Sequence, residues 1–144
     1  MRSTPISAKT YEGGCACGAI RYETKSEPIF ENHCQCTDFQ KRSGTGHGSY
    51  LTFPQRADMK ITGEASQWSV AADSGNDKIH AFCPTCGTPV YLTFAAMPDL
   101  IAVDATSLDD PSQFNPQVLT YGIRSRVWDR IDPSVQKFEW MAPG

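Results

Sequence analysis

The sequence predicts an all-β fold of small antiparallel sheets, and three observations carry that expectation. β-branched and aromatic residues gather in short runs, several of which alternate apolar with polar positions. Glycine, proline, Asp and Asn cluster between the runs, where they supply turn geometry. No long stretch keeps the apolar period of a helix. Taken in order, residues 19–24 (AIRYET) set Ile20 and Tyr22 against Arg21 and Glu23, and residues 28–31 (PIFE) form a second run. Residues 48–53 (GSYLTF), 59–62 (MKIT) and 67–70 (QWSV) follow, then 78–82 (KIHAF), 89–94 (PVYLTF) and 100–104 (LIAVD). The cluster 73–77 (DSGND) reads as a turn between two of them. Only residues 37–42 and 107–114 suit a helical turn or two, and Ser107 with Asp110 makes a poor N-cap box for the second.

Size and charge narrow the function classes. A chain of 144 residues is expected to form one domain over residues 1–144, large enough to bury about two thirds of its surface. A formal charge of −3 and a pI near 5.5 offer no electrostatic footprint for nucleic acid. No apolar run approaches the ~20 residues of a spanning helix, so no membrane partner is expected. The start Met1-Arg2-Ser3-Thr4-Pro5 lacks a signal-peptide core, and a cytoplasmic location is the expectation.

The six cysteines fall as three close pairs, Cys15/Cys17, Cys34/Cys36 and Cys83/Cys86. Thiolates two or three residues apart can grip one soft cation from a single turn, and two such pairs complete a tetrahedral zinc site. The motif Cys83-Pro84-Thr85-Cys86-Gly87 reads as a zinc knuckle, because Pro84 fixes a turn dihedral and Gly87 permits the tight return. Cys15 and Cys17 sit between glycines, which suits a backbone that folds closely around a metal. The competing reading is buried cysteine or disulfide, against which the short spacing speaks. A zinc shared by the outer pairs closes a long loop and leaves no position for substrate, which makes it structural.

The middle pair follows the run at 28–31 and leads through Lys41 and Arg42 into Gly44-Thr45-Gly46-His47-Gly48. The ordered set Gly14-Cys15-Ala16-Cys17-Gly18-Ala19-Ile20-Arg21-Tyr22, then Cys34-Gln35-Cys36 with Asp38, Gln40, Ser43 and Gly44, then Cys83-Pro84-Thr85-Cys86-Gly87, resembles the glutathione-dependent formaldehyde-activating enzyme family, which includes centromere protein V. The likeness spans roughly residues 10 to 140. It implies a β-rich, Mss4-like architecture with two zinc sites. Cys15, Cys17, Cys83 and Cys86 match the structural one. The second belongs to a C-x-C-x-x-C motif whose thiolates serve carbon–sulfur chemistry between formaldehyde and glutathione. Here Cys34 and Cys36 are in place as catalytic and metal-binding candidates, but the third position is Phe39, and a phenyl ring cannot coordinate zinc. One structural zinc is therefore expected, with the second site impaired.

His33, Asp38 and His47 are the nearest replacement ligands, although His33 alternates away from Cys34 and His47 suits a backbone-satisfied turn. Lys41 and Arg42 could pair with the carboxylates of a glutathione-like thiol, or simply face solvent. Three function classes compete: a carbon–sulfur lyase acting on thiol adducts of small aldehydes, a non-catalytic zinc-stabilised module that binds thiols or proteins, and a redox pair at Cys83/Cys86. The last lacks a βαβ setting and a nucleophilic cysteine beyond the metal pairs.

Overall fold

The computed structural model describes residues 9–72 and 75–142. Met1 to Pro5 and the first half of the expected turn, Asp73 and Ser74, lie outside the described residues. Eleven strands and one α-helix run in the order β1 (Tyr11–Gly14), β2 (Arg21–Thr24), β3 (Phe30–Cys34), α1 (Thr37–Ser43), β4 (Gly48–Phe53), β5 (Lys60–Thr62), β6 (Ser66–Ala71), β7 (Asp77–Phe82), β8 (Pro89–Phe94), β9 (Ile101–Asp104), β10 (Val118–Thr120) and β11 (Gln136–Lys137). The expected all-β class holds, and α1 is the helical exception foreseen at 37–42. The second exception, 107–114, is resolved into two 3-10 turns, Ala105–Ser107 and Pro111–Gln113. Asp110 does cap the latter, accepting from the Ser112 backbone N–H at 3.2 Å.

The sheets go beyond the small antiparallel units expected. β1, β2 and β5 form a three-stranded antiparallel sheet, while the other eight strands form one sheet in the order β11-β10-β3-β4-β9-β8-β7-β6. β10 pairs parallel with both β3 and β11. These strands are only two or three residues long and carry no readable alternation, so only the completed sheet defines them. The run expected at 28–31 lies further along, at Phe30–Cys34, which puts Cys34 at the strand end.

Alternation along the central strands decides what covers each face of the large sheet. Leu51, Phe53, Ile101 and Val103 join one buried cluster with Tyr11 and Tyr22 from the small sheet and with Ile20, just ahead of β2. Tyr50, Leu92 and Ala102 point the other way and enclose Cys34 and Phe39. All four residues of β9 are buried, as a strand covered on both faces requires. The small sheet therefore packs on one face and α1 on the other, and each face holds one class of cysteine site.

Candidate functional site

Cys15 and Cys17 occupy the turn between β1 and β2, and Cys83 and Cys86 the turn between β7 and β8. Both turns are closed by backbone bonds: Cys15 N–H to Ile20 O at 3.1 Å, and Cys83 N–H to Thr88 O at 3.0 Å. Gly18 and Gly87 take φ of 84° and 78°, which only glycine adopts without steric cost. The Ala16 N–H donates to Thr88 Oγ1 at 3.1 Å and locks one turn to the other. Backbone N–H groups of Ile20 and Thr85 donate to the sulfurs of Cys15 and Cys83, at 3.2 and 3.4 Å.

The four sulfurs lie within 4.8 Å of one another, with Cys17 Sγ 3.7 Å from both Cys15 Sγ and Cys83 Sγ. This cluster can hold a metal ion. Cys15 and Cys83 are buried while Cys17 and Cys86 are exposed, so the site lies at the protein surface. The crowding splits the thiols by acidity. Cys86 is pulled down to about 5, first by the Thr88 hydroxyl and then by backbone N–H groups. Cys17 is pushed up to about 11: the Ala19 N–H favours its thiolate, but bonding to Cys15 and Cys83 outweighs it.

The middle pair has a different setting. Cys34 ends β3 and is buried against Phe39, Tyr50, Leu92 and Ala102, and Cys36 is the residue that enters α1. Cys34 is pushed above the usual thiol range by its hydrogen bond to Cys36 and by burial. Cys36 is lowered to about 7 by the same bond, helped by the charge of Lys78. Lys78 reaches over from β7, its Nζ 4.3 Å above the Phe39 ring centroid and 3.5 Å from Asp38 Oδ2. Phe39 is 7% exposed and packs on Tyr50 with ring centroids 4.6 Å apart. The place of a third thiolate is thus filled by a buried ring under a cation.

Among the described residues, the outer four cysteines are the only cluster of three or more potential metal ligands. Each proposed replacement is engaged elsewhere. His33 Nδ1 meets Ser49 Oγ at 2.7 Å, and burial lowers this imidazole to about 4. Asp38 pairs with Lys78, and His47 Nδ1 sits 2.9 Å from both carboxylate oxygens of Asp129. His47 is therefore fixed by a side chain from a distant segment, where a turn satisfied by backbone was expected.

Lys41 is exposed, as a solvated lysine would be. Arg42 corrects the expectation of a ligand-binding or solvated cation. Its side chain is 7% exposed and donates to Asp104 at 3.0 Å, to Ala81 O at 3.0 Å and to Tyr91 O at 3.2 Å. These bonds tie α1 to β7, β8 and β9, leaving Arg42 no role at a ligand's carboxylate. Burial pushes Asp104 up to about 6, with Arg42 pulling the other way. Sequence reasoning missed Lys78, Asp104 and Asp129. Lys78 lay in a recognised strand run, but nothing local marks any of the three as a partner of the 33–47 segment. Among the described residues no helix is long and apolar enough to cross a membrane.

The family model described as glutathione-dependent formaldehyde-activating enzyme matches residues 10–124, a span that contains both the outer cysteines and the middle pair. The crystal structure of a Rhodobacter sphaeroides protein is similar in fold, with a TM-score of 0.55 at 20% identity. The similarity covers 71% of this chain and 93% of that one. None of the curated proteins matches this chain.

Proposed function

The chain belongs to the glutathione-dependent formaldehyde-activating enzyme family, and on that premise we propose a zinc-stapled β domain of carbon–sulfur lyase type, acting on adducts of small aldehydes with a thiol such as glutathione. The observation that carries the reading is the family match across all three cysteine pairs. Geometry supports zinc as the ion of the outer cluster. A tetrahedron of thiolates ~2.3 Å from zinc has edges of ~3.8 Å, and the sulfur pairs at 3.7 Å fit it. There the ion would supply folding energy and present no open position.

Chemistry belongs to Cys34 and Cys36. They present two thiols at the entrance of α1, beside the ammonium of Lys78, whose charge favours a sulfur anion close to it. Addition of a thiolate to an aldehyde carbon forms the C–S bond, and the proton lost by the thiol returns to the carbonyl oxygen. Lys41, exposed on α1, is one cation that could meet a substrate carboxylate. The six free cysteines suit a reducing, cytoplasmic compartment. The −3 charge supports a small-molecule partner over nucleic acid.

A second reading is a non-catalytic zinc-stabilised module, and one observation favours it: no third ligand joins Cys34 and Cys36 among the described residues. Exchange NMR with carbon-13 formaldehyde and glutathione, together with zinc analysis, separates the two. The lyase reading expects one zinc per chain and accelerated adduct exchange that Cys36→Ser abolishes without loss of that zinc. A folded, zinc-loaded parent with no acceleration leaves the non-catalytic module.

A further inference from the structure

A cavity of about 570 Å³ lies between the Cys34–Cys36 segment and the C-terminal part of the chain. Its volume is that of a small-molecule site. Most of its lining comes from residues past 124, where the family match ends, so the matched motifs say nothing about it. No cysteine lines it, although Gln35 does. Cys34 packs toward Phe39, Tyr50 and Leu92, whereas Gln35, the residue between the two cysteines, sends its amide to Asp129 Oδ2 at 3.1 Å in the cavity wall.

The wall is preformed. Asp129 is held by Gln35 and by His47, and the backbone of Gly46 lies so close that a Cβ there would meet the Asp129 side chain at 2.3 Å. Such anchoring lowers the ordering cost of binding. Charge then defines what the cavity takes. Arg126, Arg130 and Lys137 line it against the single carboxylate of Asp129, leaving two positive charges in excess. The side chains of Arg130 and Lys137 make no hydrogen bond or ion pair among the described residues, and that of Arg126 uses only its Nε, on Gln40 Oε1 at 3.2 Å. Leu119, Val127 and Ile131 are its aliphatic lining residues, Leu119 buried and Val127 exposed.

We propose that this cavity is a binding site for a small organic dicarboxylate, read by Arg126, Arg130 and Lys137. Guanidinium groups suit carboxylates because they can donate two parallel hydrogen bonds, and two carboxylates balance the two positive charges in excess. The site goes beyond the lyase reading and does not depend on it, since no cysteine lines the cavity.

The test is a proton–nitrogen NMR titration of the zinc-loaded full chain with adipate, and with its dimethyl ester as the uncharged control. Adipate is expected to bind saturably and to shift the amides of Gln35, Gly122, Ser125 and Val127, while the ester leaves them unmoved. Arg130→Gln and Lys137→Gln should each weaken adipate by about tenfold and keep the parent's thermal midpoint, because both side chains are exposed and unpaired. Lys25→Gln, an exposed cation outside the cavity, should bind adipate as the parent does. The proposal is overturned if adipate gives no saturable shift at those amides, if the ester binds equally well, or if the two variants match the parent.

Discussion

The outer and middle cysteine pairs are built from one residue type, rest on opposite faces of the large sheet and differ in what completes them. The outer four sulfurs converge from two glycine-bearing turns, within 4.8 Å of each other; Cys15 and Cys83 anchor these turns in the larger core cluster, Cys17 and Cys86 are exposed, and the Ala16 N–H to Thr88 bond links one turn to the other. The middle pair is backed by a packed cluster, and its helix is tied to the sheet by Arg42, a cation the protein itself provides. One site brings four sulfurs together around a common centre, whereas the other brings two and fills the remaining space with core side chains. Phe39 marks the divide: where a third thiolate would make the middle site another chelate, a buried ring makes it part of the core.

That contrast can be broken at its strong end first. Cys86→Ser should abolish tight zinc binding and cost the zinc-loaded fold about 5 kcal/mol or more, because a shared ion closes the long loop between the two turns and its binding energy is folding energy. Chelation by EDTA should reproduce the loss in the parent. Zinc analysis and thermal melting check both, and a Cys86→Ser protein with full zinc content and an unchanged midpoint would show that the outer site is no staple.

The middle site should respond to loss of its protein-borne cation. Arg42→Ala leaves Asp104 buried without its partner, a change expected to cost about 3–5 kcal/mol. Urea unfolding measures this, and amide exchange should report α1 opening before the large sheet. Zinc content should stay at the parent level, since no atom of Arg42 serves the outer cluster. Equal loosening of both sites would refute their independence.

Phe39→Cys converts one kind of site toward the other and should show the smallest net effect on stability. The lost ring leaves a cavity worth ~3 kcal/mol, partly offset if the new thiolate completes a second chelate. Zinc should rise from one toward two per chain, with adduct exchange between formaldehyde and glutathione gained or increased. Folded Phe39→Cys protein that still binds a single zinc would mean that Cys34 and Cys36 do not face a common centre.

How these elements could be read beforehand follows the range of the interactions that make them. The chelating pairs, Gly87 in its knuckle and strands such as 48–53 and 89–94 were legible because their geometry is decided within a few residues by turn dihedrals and alternation. The missing ligand at Phe39 was legible only through the resemblance, against the family's C-x-C-x-x-C motif. What only the tertiary structure decided acts across long separations: Arg42 to Asp104 over 62 residues, His47 to Asp129 over 82, and Gln35 to Asp129 over 94. The parallel pairing of β10 with β3 and the cavity beneath residues 125–137 belong to the same class. A charged side chain carries no local mark of its eventual partner, because burial and neighbours assigned by the finished sheet decide whether it faces water, an ion pair or a ligand.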